Sequence, residues 1–163
     1  DHGIKTVGII GAGQMGGGIA QVSAVAGFKT IVYDAFPKSL DKAKADHEKR
    51  LARDVEKGKL TAEAKSAAQG RLQYVSSLDT FGMCDIVVEA IVETDLFVRL
   101  GEMFAKIPGR QIIASNTSSI SITELAAACK HLSGPSMNAE SQIIGMHFFN
   151  PVPVMKLVEV IKG

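Results

Sequence analysis

The sequence predicts an α/β chain built on a doubly wound, mainly parallel sheet with helices on both faces. Three observations predict it. Short apolar runs alternate with helical patterns along the 163 residues, the order that builds parallel sheets from crossover units. The first unit enters a glycine turn, Gly11-Ala12-Gly13-Gln14-Met15-Gly16, straight from the apolar run Val7-Gly8-Ile9-Ile10. The next apolar run, Thr30-Ile31-Val32-Tyr33, ends on a carboxylate, Asp34.

The glycines of that turn have separate roles. Gly11 permits a tight turn, Gly13 lets a pyrophosphate lie against the backbone, and Gly16 lets the helix pack close to the strand. Gln14 and Met15 open the helix, whose first N–H groups are unpaired and carry the positive end of its dipole. A diphosphate is the natural occupant. Asp34 lies where a carboxylate accepts both ribose hydroxyls of an adenosine. A carboxylate there also repels a 2′-phosphate, so the expected cofactor is NAD rather than NADP.

The remaining elements follow in order. Ser39 is a plausible N-cap for a long helix to about Lys57, closed by Gly58. Leu40, Ala43, His47, Leu51 and Val55 form its buried stripe. Its basic residues, Arg50 and Lys57 among them, read either as a solvated face or as a landing site for an anionic substrate tail. Thr61 starts a short helix ending near Gly70. Leu72–Val75 is a strand, and Ser77–Cys84 a polar connection. Asp85–Ala90 is a buried strand, followed by a helix from Leu96 to Ile107 that Pro108-Gly109 stops. Gln111–Ser115 is a strand, Asn116–Ser119 a polar loop and Ile122–Cys129 a helix. A surface loop runs over residues 130–142. Ile143–His147 returns to strand, Phe148–Pro153 turns irregularly, and Lys156–Ile161 is the last strand.

Bulk properties exclude several functions. The net charge is +1, so nothing points to nucleic acid or an anionic membrane. No run approaches a membrane span. Cys84 and Cys129 fit neither a metal site nor a disulfide framework; they read as buried thiols in a reducing compartment, and no metal is expected. The start leads almost directly into the first strand, so a targeting peptide is expected to be removed or never present. The chain ends directly after an apolar run and reads as one domain, residues 1–163, cut from a longer protein.

Ligands on such sheets bind at the carboxyl ends of the strands. The sequence places there Gly11–Gly16, Asp34, Glu89–Glu93, Ser115–Ser119 and His147–Asn150. His147 is the candidate base, because an imidazole titrates near neutrality and can take a hydroxyl proton as hydride leaves the same carbon. Glu159, twelve residues on, can fold back across the Pro151–Pro153 turn and orient it.

The glycine turn with Asp34, Val88-Glu89-Ala90-Ile91-Val92-Glu93, Ala114-Ser115-Asn116-Thr117-Ser118-Ser119 and the long stretch from Gly145 to Ile161 resemble L-3-hydroxyacyl-CoA dehydrogenase. The resemblance covers the whole chain, but only the family's N-terminal, Rossmann-type NAD-binding domain. It implies oxidation of an (S)-3-hydroxyacyl-CoA to the 3-ketoacyl-CoA in fatty acid β-oxidation. It implies His147 as catalytic base, Glu159 as its partner, and Ser118 against both substrate and nicotinamide. Glu93 and Asn150 would lie along the cofactor. Lys57 resembles the family's lysine for the CoA phosphates, with Arg50 beside it on the basic helix. Where the family has Asn and a Lys-Val-Lys pattern after Glu93, this chain has Thr94-Asp95-Leu96-Phe97-Val98-Arg99, and Arg99 takes the place of the cofactor-contacting lysine. The loop from His131 to Ser141 is longer than usual.

The family's helical C-terminal domain, which closes over the thioester and forms a homodimer, is absent from this chain. Its missing contact is expected to leave apolar surface around the final strand and Phe148-Phe149-Pro151-Val152. Two other functions remain open: a related NAD-dependent dehydrogenase of free β-hydroxy acids, and a non-catalytic NAD-binding relative. The expected location is intracellular, in the mitochondrial matrix or the bacterial cytoplasm.

Overall fold

The computed structural model describes residues 3–91, 112–116 and 143–162. Among them, strands β1 (Thr6–Ile10), β2 (Lys29–Tyr33), β3 (Leu72–Val75), β4 (Ile86–Glu89), β5 (Ile112–Ser115), β6 (Ile143–Phe148) and β7 (Val158–Lys162) form one sheet. Its order is β3-β2-β1-β4-β5-β6-β7. Every pairing is parallel except β6 with β7. The helices are α1 (Gln14–Val25), α2 (Pro37–Glu56) and α3 (Ala62–Arg71). The doubly wound, mainly parallel sheet expected from the sequence is therefore present. The helices expected over Leu96–Ile107 and Ile122–Cys129, the loop over residues 130–142 and the thiol of Cys129 lie outside the described residues.

Strand order reverses between β1 and β4. β1 is covered on both flanks, and its residues from Val7 to Ile10 are all buried, as an apolar strand in a parallel sheet requires. Ile9, Ile19, Val32, Val88 and Ala114 share one core cluster that draws on β1, α1, β2, β4 and β5. Burying five such elements together fixes the strand ends, where the chemistry is expected.

The helix ends explain themselves locally. α2 starts at Pro37 behind Phe36, with no side-chain cap, so Ser39 lies inside the helix and not at its N-cap. Proline at the first helical position has its φ already set and lacks an N–H that would go unpaired, and it takes the boundary from the serine. α2 closes as expected: Gly58 has φ 71°, its N–H donates to Val55 O, and Lys59 N–H donates to Asp54 O, a Schellman closure. α3 starts at Ala62, one residue after the expected Thr61, which serves as its N-cap, with Oγ1 accepting from Ala64 N at 3.0 Å. Within the expected polar connection, Asp79–Met83 forms a 3-10 turn. It carries Phe81 into the core at 0% exposure.

Gly18 settles where the β6–β7 connection goes. A Cβ there would stand 2.9 Å from Val152 Cβ, so α1 and the turn meet through the missing side chain. Val152 is consequently buried, against the expectation that it would be exposed. Phe148 and Phe149 are half-buried. Around the final strand apolar surface is exposed as expected, at Val154, Met155, Leu157, Val158 and Val160.

Candidate active site

The glycine turn sits at the reversal point of the sheet. Gly11 has φ 104°, a conformation that residues with a Cβ rarely adopt. A Cβ at Gly11 would also stand 2.9 Å from Ala90 O, at the end of β4. At Gly16, a Cβ would overlap the Gly11 carbonyl oxygen. At Gly13 a Cβ would meet nothing within 4 Å. Two glycines are thus demanded by the protein itself, while the third opens onto free space.

That free space faces the start of α1. The helix has no side-chain cap and no acid in its first turn, and Gln14 and Met15 provide its first residues. Its positive end is left for a ligand, which fits a diphosphate. Asp34 stands beside it. Asp34 Oδ2 accepts from Ala12 N at 2.9 Å, and Oδ1 accepts from Phe36 N at 2.9 Å. Each oxygen keeps a second acceptor site, so the carboxylate can still take two ribose hydroxyls. The residues present fit an adenosine diphosphate moiety.

Two concavities lie near α2. One of about 180 Å³ is lined by Ala12, Gly13, Gln14, Gly17, Lys42, Ala43, Asp46, His47 and Arg50. It joins the glycine turn to the basic helix and brings Arg50 to the phosphate end. Lys57 is exposed at the far end of that helix. The larger concavity, about 550 Å³, opens between α2 and β3. None of the sequence-predicted site residues lines it, so the site is assigned to the smaller one.

His47 is structural, as its place in the buried stripe implied. Its Nε2 lies 2.6 Å from Gly17 O, and Nδ1 lies 2.6 Å from the Tyr74 hydroxyl. A carbonyl only accepts, so Nε2 donates, and Nδ1 of the neutral ring accepts from Tyr74. Burial lowers the pKa of His47 and pushes that of Tyr74 up to about 12. Both keep the neutral network in place around neutral pH.

At the opposite end of the sheet, β6 and β7 run antiparallel with His147 directly opposite Glu159. Opposed residues of an antiparallel pair project from the same face, with Cβ atoms about 4.5–5.5 Å apart. Side chains on opposite faces would have excluded a dyad, and the register puts them on one. His147 is half-buried and Glu159 exposed. The Phe149 ring packs on the imidazole, centroids 4.9 Å apart. The turn beyond brings two expected cofactor residues together: Gln14 Nε2 donates to Asn150 Oδ1 at 3.3 Å. Ser118, Glu93 and Arg99 lie outside the described residues.

The structure adds one group that sequence reasoning misplaced. Glu89 is 0% exposed and does not line the open edge. Its Oε1 accepts from Ile91 N at 2.6 Å and its Oε2 from Ser115 Oγ at 2.7 Å. Burial raises its pKa, and the two hydrogen bonds oppose that rise. The burial of Glu89 agrees with the buried strand read over Asp85–Ala90; what is corrected is its place on the open edge. Cys84 is buried as expected, and burial pushes its pKa up to about 12. Among the described residues no cluster of three metal-ligating side chains occurs, and no helix is long and apolar enough to cross a membrane.

Comparison with known proteins gives the following. The family model for the 3-hydroxyacyl-CoA dehydrogenase NAD binding domain matches residues 6–163. A protein of Deinococcus radiodurans described as a probable 3-hydroxybutyryl-CoA dehydrogenase is 51% identical over 161 residues, covering 96% of this chain and 54% of that relative. The fatty acid oxidation complex subunit alpha of Pseudomonas entomophila is 40% identical, covering 99% of this chain and 22% of that protein. The crystal structure of (S)-3-hydroxybutyryl-CoA dehydrogenase from Ralstonia eutropha superposes with a TM-score of 0.88 at 46% identity, over 98% of this chain and 54% of that one. The chain thus spans about half the length of the Deinococcus radiodurans and Ralstonia eutropha proteins.

Proposed function

The chain belongs to the 3-hydroxyacyl-CoA dehydrogenase family, within its NAD-binding, Rossmann-type domain, and from that premise we propose that the full-length protein oxidises an (S)-3-hydroxyacyl-CoA to the 3-ketoacyl-CoA. Bound NAD would supply the acceptor for the hydride of the carbinol carbon. Gly13 and the start of α1 would hold the diphosphate, and Asp34 the adenosine ribose. By the family resemblance, Asn150, Glu93 and Arg99 would serve the cofactor, and Ser118 both nicotinamide and substrate. His147 removes the hydroxyl proton as the hydride leaves, and Glu159 orients the imidazole and balances the charge it gains. Arg50 and Lys57 receive the CoA phosphates.

The observation that carries this reading is the pairing of His147 with Glu159 across β6 and β7, on the same sheet whose reversal point holds the glycine turn. A lone histidine at a strand end would be weak evidence. A histidine with a carboxylate in register, flanked by a turn tied to the phosphate helix through Gln14 and Asn150, supports the reading of a base with a carboxylate partner.

A helical domain following this one completes the substrate cleft and forms the homodimer. The setting is fatty acid β-oxidation, in keeping with the fatty acid oxidation complex among the relatives. The relatives named above are bacterial, which favours the bacterial cytoplasm over the mitochondrial matrix. The test is loss of NADH absorbance when the full-length protein meets acetoacetyl-CoA, set against free acetoacetate. Turnover of the thioester alone supports the proposal; equal turnover of the free acid, or none of either, contradicts it.

A further inference from the structure

The main-chain ladder between β5 and β6 stops early. It pairs Ile113 with Ile143, Ala114 with Ile144 and Ser115 with Gly145. Among the described residues, the end of β6 that carries His147 has no strand beside it on that side. There the Phe148 N–H donates to Asn116 Oδ1 at 2.9 Å. We propose that Asn116 is a positioning residue for the catalytic base, its carboxamide oxygen fixing the backbone immediately after His147. This rests on the reading of His147 as the base.

Asn116 is itself anchored. Its N–H donates to Glu89 O at 2.8 Å. Glu89 in turn holds Ser115 Oγ and Ile91 N through its two carboxylate oxygens. Two side chains therefore lace the carboxyl ends of β4, β5 and β6 together. The lacing reaches the glycine turn, because the Ala90 carbonyl leaves no room for a Cβ on Gly11. On its other side β6 is held by β7, an edge strand with Val160 61% exposed. The Asn116 contact is thus the fixed side of the histidine's mounting. Asparagine suits this position because its arm is short and its oxygen accepts without charge. An added methylene would push the oxygen past the amide.

A residue that acts through His147 should lose its effect once His147 is gone. In the full-length protein, Asn116→Ala should lower kcat about 10–100-fold, below the loss from removing a general base outright. NADH affinity should change less than about threefold, since no phosphate or ribose contact is touched. Asn116→Asp keeps an acceptor oxygen and should recover kcat to within about fivefold of wild type. Its added charge should move the acid limb of the kcat/KM profile upward, as a nearby carboxylate favours the imidazolium. In a His147→Gln background, Asn116→Ala should cost no more than about twofold, because groups acting as a unit are not additive. The proposal is overturned by an Asn116→Ala enzyme within about threefold of wild type, or by a full further loss in the double variant. Should Asn116→Ala fail to fold, Asn116→Asp decides: no recovery overturns it. Full activity of His147→Gln would overturn the base assignment, and this proposal with it; an inactive His147→Gln beside a fully active Asn116→Ala would overturn only the positioning role.

Discussion

The two ends of the sheet's binding edge are built in different ways. The phosphate end, β1 through β2, is a closed device of backbone: Gly11 N–H on Tyr33 O at 2.8 Å, Ala12 N–H on Asp34, and a helix start with nothing of its own in front of it. The catalytic end, β6 through β7, is an open edge. Its acid is exposed, and the apolar residues Val154, Leu157 and Val160 stand 67%, 62% and 61% exposed. The groups of the first end are held within the described residues: Asp34 by the N–H groups of Ala12 and Phe36, and the Gly11 N–H by Tyr33 O. The second holds His147 and Glu159 in register but leaves Glu159 exposed to water, where charge interactions are weak. Binding and catalysis should therefore separate experimentally.

The largest effect should come from the catalytic end alone. His147→Gln in the full-length protein should lower kcat by roughly 10²–10⁴, about 3–5 kcal/mol of barrier, with NADH affinity kept. A matching loss of NADH binding would mean the two ends are not separable.

Next in size is the phosphate end. Gly16→Ala should destabilise the fold by about 3 kcal/mol, at the top of the usual overpacking range, because the obstacle is the Gly11 carbonyl and not a movable side chain. Urea unfolding of this chain measures it. A loss under about 1 kcal/mol would show that the helix can move away from the strand.

Gly18→Ala tests the link between the ends. The new methyl group meets Val152, so it should cost about 1–2 kcal/mol and push the turn away from α1, weakening the contact of Gln14 with Asn150. Turnover should fall more than NADH affinity. The reverse order would place Val152 on the cofactor side of the division.

The smallest effect is a pH dependence. The folded-state pKa of Glu89 is raised above the ordinary 4.5 by burial, so the folded chain binds that proton more tightly than the unfolded one. Stability from this group therefore rises as pH falls through the folded value, and the gain is complete below the ordinary value. The stability of wild type minus that of Glu89→Gln should increase over that window. A flat difference would mean that the two hydrogen bonds already offset the burial.

The same contrast explains what the sequence made legible. The glycine turn, Asp34 and the Gly58 closure could be read directly because each requirement is local: one φ, one missing Cβ, one carboxylate at a strand end. That the last strand folds back to set Glu159 opposite His147 was also legible, from the Pro151–Pro153 turn between two apolar runs, although the residues between Phe148 and Val158 are too many for the turn alone to fix the register. What escaped depends on packing between distant elements. Phe81 sits in a short 3-10 turn, which has no periodicity to detect. Val152 looked exposed because nothing in its own neighbourhood buries it. Its cover comes from Gly18, and the clue was the run Gly16-Gly17-Gly18 inside a helix, where each glycine costs about 1 kcal/mol and so marks a close contact. Ser39 was a reasonable cap until Pro37 was weighed against it. Glu89 and Asn116 could not be paired with Ser115 and Phe148 before the strand order was known.

If the phosphate end is self-sufficient, the NAD crevice is complete within this chain and Asp34 selects its occupant. Titrating the 163-residue chain with NADH and NADPH by nucleotide fluorescence decides this. NADH should bind saturably and NADPH at least about tenfold more weakly, a difference of roughly 1.4 kcal/mol, because the Asp34 carboxylate meets a ribose hydroxyl in one ligand and a phosphate in the other. Equal affinities, or no binding of NADH by the chain alone, would contradict it.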